Sequence, residues 1–178
     1  VIHIRDAHQG IREIAKQALA DSIERGFDRP TWDNLPTKVM FAVTELQEAC
    51  EDWSNDARPH SELADCVLRI SAVLESLWPD NWSVRRKSPP SLLNPPAVLV
   101  HPALARLCGA CQRWRNDDDQ ARIDVRIELE YALADVAALI NAMGNYVAHK
   151  PPAIWACELR LRSNKTRPRL HGRRRPEA

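Results

Sequence analysis

Four carboxylates define the chemistry open to this chain. Glu45 and Glu48 stand three residues apart, and after thirteen intervening residues Glu62 and Asp65 repeat the spacing. On a helix, side chains at i and i+3 lie side by side on one face. Two such helices packed antiparallel bring all four carboxylates to one spot. Uncompensated negative charges in a partly dry groove repel strongly, and a hard, oxygen-seeking cation relieves the repulsion. Mg²⁺ suits the role, being held by a few carboxylates together with the phosphates of a substrate. The spacing therefore points to a metal site for a phosphorylated ligand. Acidic pairs at this spacing are also ordinary on solvated helix faces, and spacing alone leaves that reading open.

Helices must hold these groups. Around the first pair Val39, Val43, Leu46, Cys50 and Trp53 recur at three- and four-residue steps; around the second Leu63, Cys66, Val67, Ile70, Leu74 and Leu77 do the same. The segment Ser54–His60 between them is short enough to favour antiparallel neighbours. An earlier helix over 4–26 carries Ile11, Ile14, Ala15, Ala18, Leu19 and Ile23 on one face and closes on Gly26. Pro79, Pro89, Pro90, Pro95 and Pro96 mark 79–97 as an extended linker. Few glycines, abundant Ala and Leu and scarce β-branched runs predict an all-α protein, a helical bundle.

Part of the chain reads twice. Ala105–Trp114 aligns with Thr44–Trp53 at four identities in ten, and Ala132–Ala142 with Glu62–Ala72 at five in eleven. The offset grows from 61 to 70, which places about nine extra residues near Asn116–Gln120. The second copy keeps the apolar residues and loses the acids: Arg106 replaces Glu45, Gly109 replaces Glu48 and Ala132 replaces Glu62, with Asp135 alone matching Asp65. An arginine at a ligand position is incompatible with a dication there, so this half is expected to be a scaffold. The expected organisation is a first repeat over 1–78 carrying the metal site, a Pro-rich linker over 79–97, and a degenerate second repeat over 98–150. A C-terminal helix and basic tail fill 151–178.

The net charge of +1 is unevenly spread, since residues 158–178 hold eight Lys/Arg against two Glu. An acidic body and a basic end would face a metal–polyphosphate ligand from two sides. No apolar run spans a bilayer, and the first residues lack a signal-peptide pattern. Five cysteines, four of them on helical positions as small core residues, are expected to be free thiols in a reducing, cytoplasmic protein. Cys108-Gly-Ala-Cys111 has no partner pair at zinc spacing. The basic end lacks interleaved aromatics, which argues against nucleic acid as a partner.

The pattern Glu45-x-x-Glu48…Glu62-x-x-Asp65 resembles the ExxE…ExxD signature of the MazG-like all-α nucleoside triphosphate pyrophosphohydrolases. The tail Asn164-Lys-Thr-Arg-Pro-Arg-Leu-His-Gly172 resembles that family's closing N-x-x-R-P-x-x-H-G segment. The resemblance implies a Mg²⁺-dependent hydrolase (Mn²⁺ as a substitute) that converts a nucleoside or deoxynucleoside triphosphate to the monophosphate and pyrophosphate. It implies that Glu45, Glu48, Glu62 and Asp65 ligate metal, with Glu45 or Glu48 orienting the attacking water. It also implies that Lys38, Asn164, Lys165 and Arg167 contact phosphate. Arg160 stands where the family often has a lysine. Trp32, before the metal helix, is the candidate for stacking on the base. The chain would then be an internal pseudo-dimer, with carboxylates from the first half and cations from the second. The alternative is a non-catalytic nucleotide-binding or regulatory protein. Whether two chains pair as a homodimer stays open.

Overall fold

Local chemistry sets where each helix starts and stops. The computed structural model describes residues 4–55, 57–85, 87–144 and 151–166. Helix α1 (Ile4–Glu24) ends at Gly26, whose φ of 80° is open to glycine and strained for residues with a Cβ. Helices α2 (Leu35–Ser54) and α4 (Pro96–Trp114) carry proline in their first turn, where a missing N–H leaves nothing unpaired. Helix α3 (His60–Leu77) starts after Pro59 and stops before Pro79. Helix α5 (Asp119–Met143) opens on the Asp118 carboxylate, which accepts from the Ala121 N–H at 2.7 Å. Helix α6 (Pro152–Thr166) closes the described chain. No strand occurs among the described residues, and no helix there is long and apolar enough to cross a membrane.

The expected all-α bundle is what forms. Helices α2 and α3 make one antiparallel hairpin and α4 and α5 another; the two pack side by side, α2 on α4 and α3 on α5. Helix α1 lies against α3 and α6, and α6 also touches α3 and α5. Helix α3 is thus contacted on every side, which explains why Leu63, Ala64, Cys66, Val67, Leu68, Ile70, Val73 and Leu74 are all buried. On α2 the buried face runs through Leu35, Val39, Ala42, Leu46 and Ala49, with Val43, Cys50 and Trp53 at its margin. One apolar core is continuous through both hairpins. Burial of residues such as Leu46 and Leu63, each contributing about 2 kcal/mol, fixes the rotation of α2 and α3 and hence the direction of their acids.

The Pro-rich linker is tied to α5 as a strap. Buried Glu130 accepts from the Ser83 N–H at 2.9 Å and from Arg85 Nε at 2.8 Å. Lys87 pairs with Asp135, and Arg126 donates to the Asn81 carbonyl at 2.5 Å. Trp82 is buried, with its indole N–H on Glu75 at 3.0 Å. These are the jobs of three buried acids that the spacing argument left without one.

Three expectations change. Of the cysteines placed in the core, Cys66 is buried, Cys50 and Cys111 are half-buried, and Cys108 is exposed; all are free. Ile23, assigned to the inner face of α1, is 43% exposed because α1 is already turning into its C-cap. The extra residues of the second copy also lie elsewhere. The turn between α4 and α5 is as short as that between α2 and α3, and the surplus lengthens α5 itself.

Candidate functional site

Glu45 lies in mid-α2 between buried Ala42 and Leu46, and is only 5% exposed. Glu48 is exposed one turn later, and Glu62 is half-buried in the first turn of α3. The hairpin brings the three together, each offering a carboxylate oxygen within 4.8 Å of the other two. Asp65 is engaged differently. Arg160, from α6, donates Nε at 2.8 Å and Nη2 at 2.5 Å to one Asp65 oxygen, and its Nη2 is 3.9 Å from Glu62. Arg69, one turn beyond Asp65 on α3, donates Nε at 2.6 Å and Nη2 at 2.5 Å to Glu45. Ser61 donates to Glu62 at 3.0 Å.

The four acids are therefore partly compensated by two arginines, which the spacing argument did not include. Burial pushes the Glu45 carboxyl up to about 7. Arg69 opposes that rise, and Asp65 and Glu62 add to it. The hydrogen bond to Asp65 holds the Arg160 guanidinium more firmly charged. Burial lowers the Lys38 ammonium, with Asp28 acting against the shift. The nearby thiols of Cys66 and Cys157 are fully buried and pushed far up, so they are not nucleophiles.

The donor set decides which ion fits. The cluster offers carboxylate oxygens and no histidine or cysteine, which matches Mg²⁺ or Mn²⁺ and not a structural zinc. Glu48 carries no ion pair among the described residues, which leaves its oxygens available.

The remaining predicted residues divide by distance. Lys38 lies two turns before Glu45 on the same helix, about 10 Å along its axis. Phe41 stands between them, exposed, with Lys38 at 6.0 Å and Arg69 at 5.3 Å from its ring centre. Asn164 is half-buried and Lys165 exposed, one turn beyond Arg160 on α6. Trp32 is not brought to the cluster. It precedes the start of α2, about 15 Å up the helix from Glu45, with Arg122 4.9 Å over its ring and Trp114 donating to its carbonyl at 2.6 Å. Arg167 and the rest of the tail motif lie outside the described residues.

Sequence reasoning missed Arg69 and Phe41. Arg69 had a signal: it follows Asp65 by four residues and so shares its face.

The second hairpin carries the Glu45–Arg69 contact with its signs exchanged. Arg106 donates to Glu128 at 3.0 Å, and Arg113 to the same carboxylate at 3.1 Å. A Cβ at Gly109 would stand 3.6 Å from Glu128. No cluster of three potential metal ligands is found in this hairpin among the described residues.

No model of a known protein family, no curated protein and no solved structure matches this chain. The functional reading therefore rests on its own residues.

Proposed function

We propose that the chain is a Mg²⁺-dependent nucleoside triphosphate pyrophosphohydrolase, releasing the monophosphate and pyrophosphate. The observation that carries this reading is the convergence of Glu45, Glu48 and Glu62 from two helices, with oxygens within 4.8 Å of one another and Arg160 at their edge. These three residues would hold the ion. An ion held by them would supply charge neutralisation for the polyphosphate and help to activate a water.

The chain's own groups supply the rest. Glu48, exposed and without an ion pair among the described residues, would orient the attacking water and accept its proton. Glu45 is buried and held by Arg69, so its oxygens are less accessible to a water than those of Glu48. Arg160 presents a fixed cation to phosphate oxygens, held in orientation by Asp65. Lys38 and Lys165 would add cations, and Asn164 a neutral amide donor, toward the phosphates; Arg167 is assigned a phosphate contact from the sequence motif. Asp65 thus acts through Arg160, where the sequence resemblance made it a ligand.

The non-catalytic alternative has one observation in its favour: Arg69 and Arg160 already neutralise two of the four acids. Assay of pyrophosphate release with Mg²⁺ across the ribo- and deoxynucleoside triphosphates separates the two readings. The hydrolase yields equal amounts of monophosphate and pyrophosphate from at least one triphosphate, and Glu48→Gln lowers the rate by about a hundredfold or more. Binding without turnover leaves the alternative.

A further inference from the structure

A cavity of about 530 Å³ has in its wall Arg160, the residue that binds Asp65 beside the carboxylate cluster. Its walls are Trp155, Ala156, Leu159 and Arg160 from α6, with Arg58 and His60 at the start of α3. We infer that this cavity takes the nucleoside half of the substrate, with the base stacked on Trp155 and the phosphates passing beneath Arg160 to the carboxylate cluster. The inference rests on the hydrolase reading for the identity of the ligand. The cavity and its connection to the cluster are independent of that reading.

The α6 residues 155, 156, 159 and 160 fall at i, i+1, i+4 and i+5, so they form one helical face turned to the cavity. Leu159 on that face is 46% exposed and contributes nothing to the core. The volume lies inside the range of about 300–1,000 Å³ that small-molecule sites occupy. An indole and aliphatic side chains supply the surface on which a planar base stacks, while Arg58 and Arg160 supply positive charge at the rim. His60 also lines the cavity, where its ring nitrogens can hydrogen-bond a base edge.

The connection to the carboxylates is one residue thick. Arg160 lines the cavity and holds Asp65 at the cluster. Ser61 also lines the cavity, and its hydroxyl donates to Glu62. A ligand with its phosphates at the carboxylates therefore has its other end within reach of Trp155. Trp32, the sequence candidate for stacking, has its ring under Arg122 at the far end of α2. The geometry moves base recognition from the loop before α2 to α6.

The test titrates the four deoxynucleoside 5′-monophosphates into the full chain in EDTA, read by saturation-transfer NMR and calorimetry. At least one is expected to bind, with saturation reaching its base protons. Trp155→Leu should weaken that binding about tenfold or more. Ala156→Phe fills the cavity while keeping the indole, and should weaken it comparably; thermal melts establish that each variant is folded, and if one is not, the other decides. Absence of binding by all four, or equal binding by the folded variants and the wild type, overturns the inference. Binding lost in the variants, from a protein that cleaves no triphosphate, keeps the cavity and removes the hydrolase. Triphosphate cleavage unaltered in both variants does the reverse.

Discussion

Arg160 gives two of its donors to a single oxygen of Asp65, reaching from the last described helix to the third. The pair fixes α6 against α3 at the point where the carboxylate cluster and the cavity meet. It also explains why the second acidic motif splits its work. Glu62 faces Glu45 and Glu48, while Asp65 turns to the arginine.

Replacing Arg160 tests that division. Arg160→Ala leaves Asp65 half-buried without its partner, at a cost of about 1–3 kcal/mol. Arg160→Lys restores charge but not the paired donors, and should recover only part of the loss. Urea unfolding at neutral pH in EDTA measures both. A full recovery by lysine would show that the two-donor geometry is immaterial.

Glu45 makes a prediction about pH. Its folded carboxyl is pushed up to about 7 from an ordinary value near 4.5, so the folded chain keeps a proton that the unfolded chain releases. The stability this provides is complete below about 4.5 and is lost as pH rises through about 7. His60, lowered by burial, slopes stability the opposite way, so the comparison must be with Glu45→Gln. In EDTA the variant should overtake the wild type between pH 5 and pH 8, by about 2 kcal/mol. Unfolding curves across that range check it, and a wild type that gains on the variant with rising pH would contradict it. Divalent-ion affinity should tighten through the same window, because ion and proton compete for one carboxylate.

The strap on α5 predicts a stability effect remote from the site. Glu130 is 2% exposed and serves the Ser83 N–H and Arg85 together. Glu130→Ala should cost about 2–4 kcal/mol, and Glu130→Gln, which keeps an acceptor, about half as much. Limited proteolysis should cut the linker in the alanine variant first. A linker as resistant as the wild type's would mean that other contacts hold it.

The helices were legible because apolar residues repeat at helical steps and because proline and Gly26 mark the ends. The convergence of Glu45, Glu48 and Glu62 was legible for the same reason, since a short turn makes an antiparallel hairpin and its inner face is set by Leu46 and Leu63. The register of the repeat was not. Glu45 meets Arg69 and Arg106 meets Glu128, so if the hairpins are paired by this contact Glu128 takes the place of Arg69, eleven residues short of Leu139, its partner by sequence alignment. Eleven residues is close to three whole helical turns, so a slip of that length keeps every side chain on the same face and escapes a pattern search. The counterparts of Glu62 and Asp65 become Ala121 and Asp124, and Asp135 is left free to bind Lys87. The engagement of Asp65 by Arg160, 95 residues away, had no local signal. Trp32 is near the metal helix in sequence but precedes its first turn, about 15 Å along the axis from Glu45, whereas Trp155 lines the cavity beside Arg160 through tertiary packing alone.

Crystals grown with Mn²⁺ and a non-hydrolysable triphosphate, measured at the manganese edge, would locate the metal directly. An anomalous peak is expected bounded by Glu45, Glu48 and Glu62, absent when Glu48 and Glu62 are both replaced by glutamine. A map with no peak there, or with manganese bound only elsewhere on the chain, would contradict it.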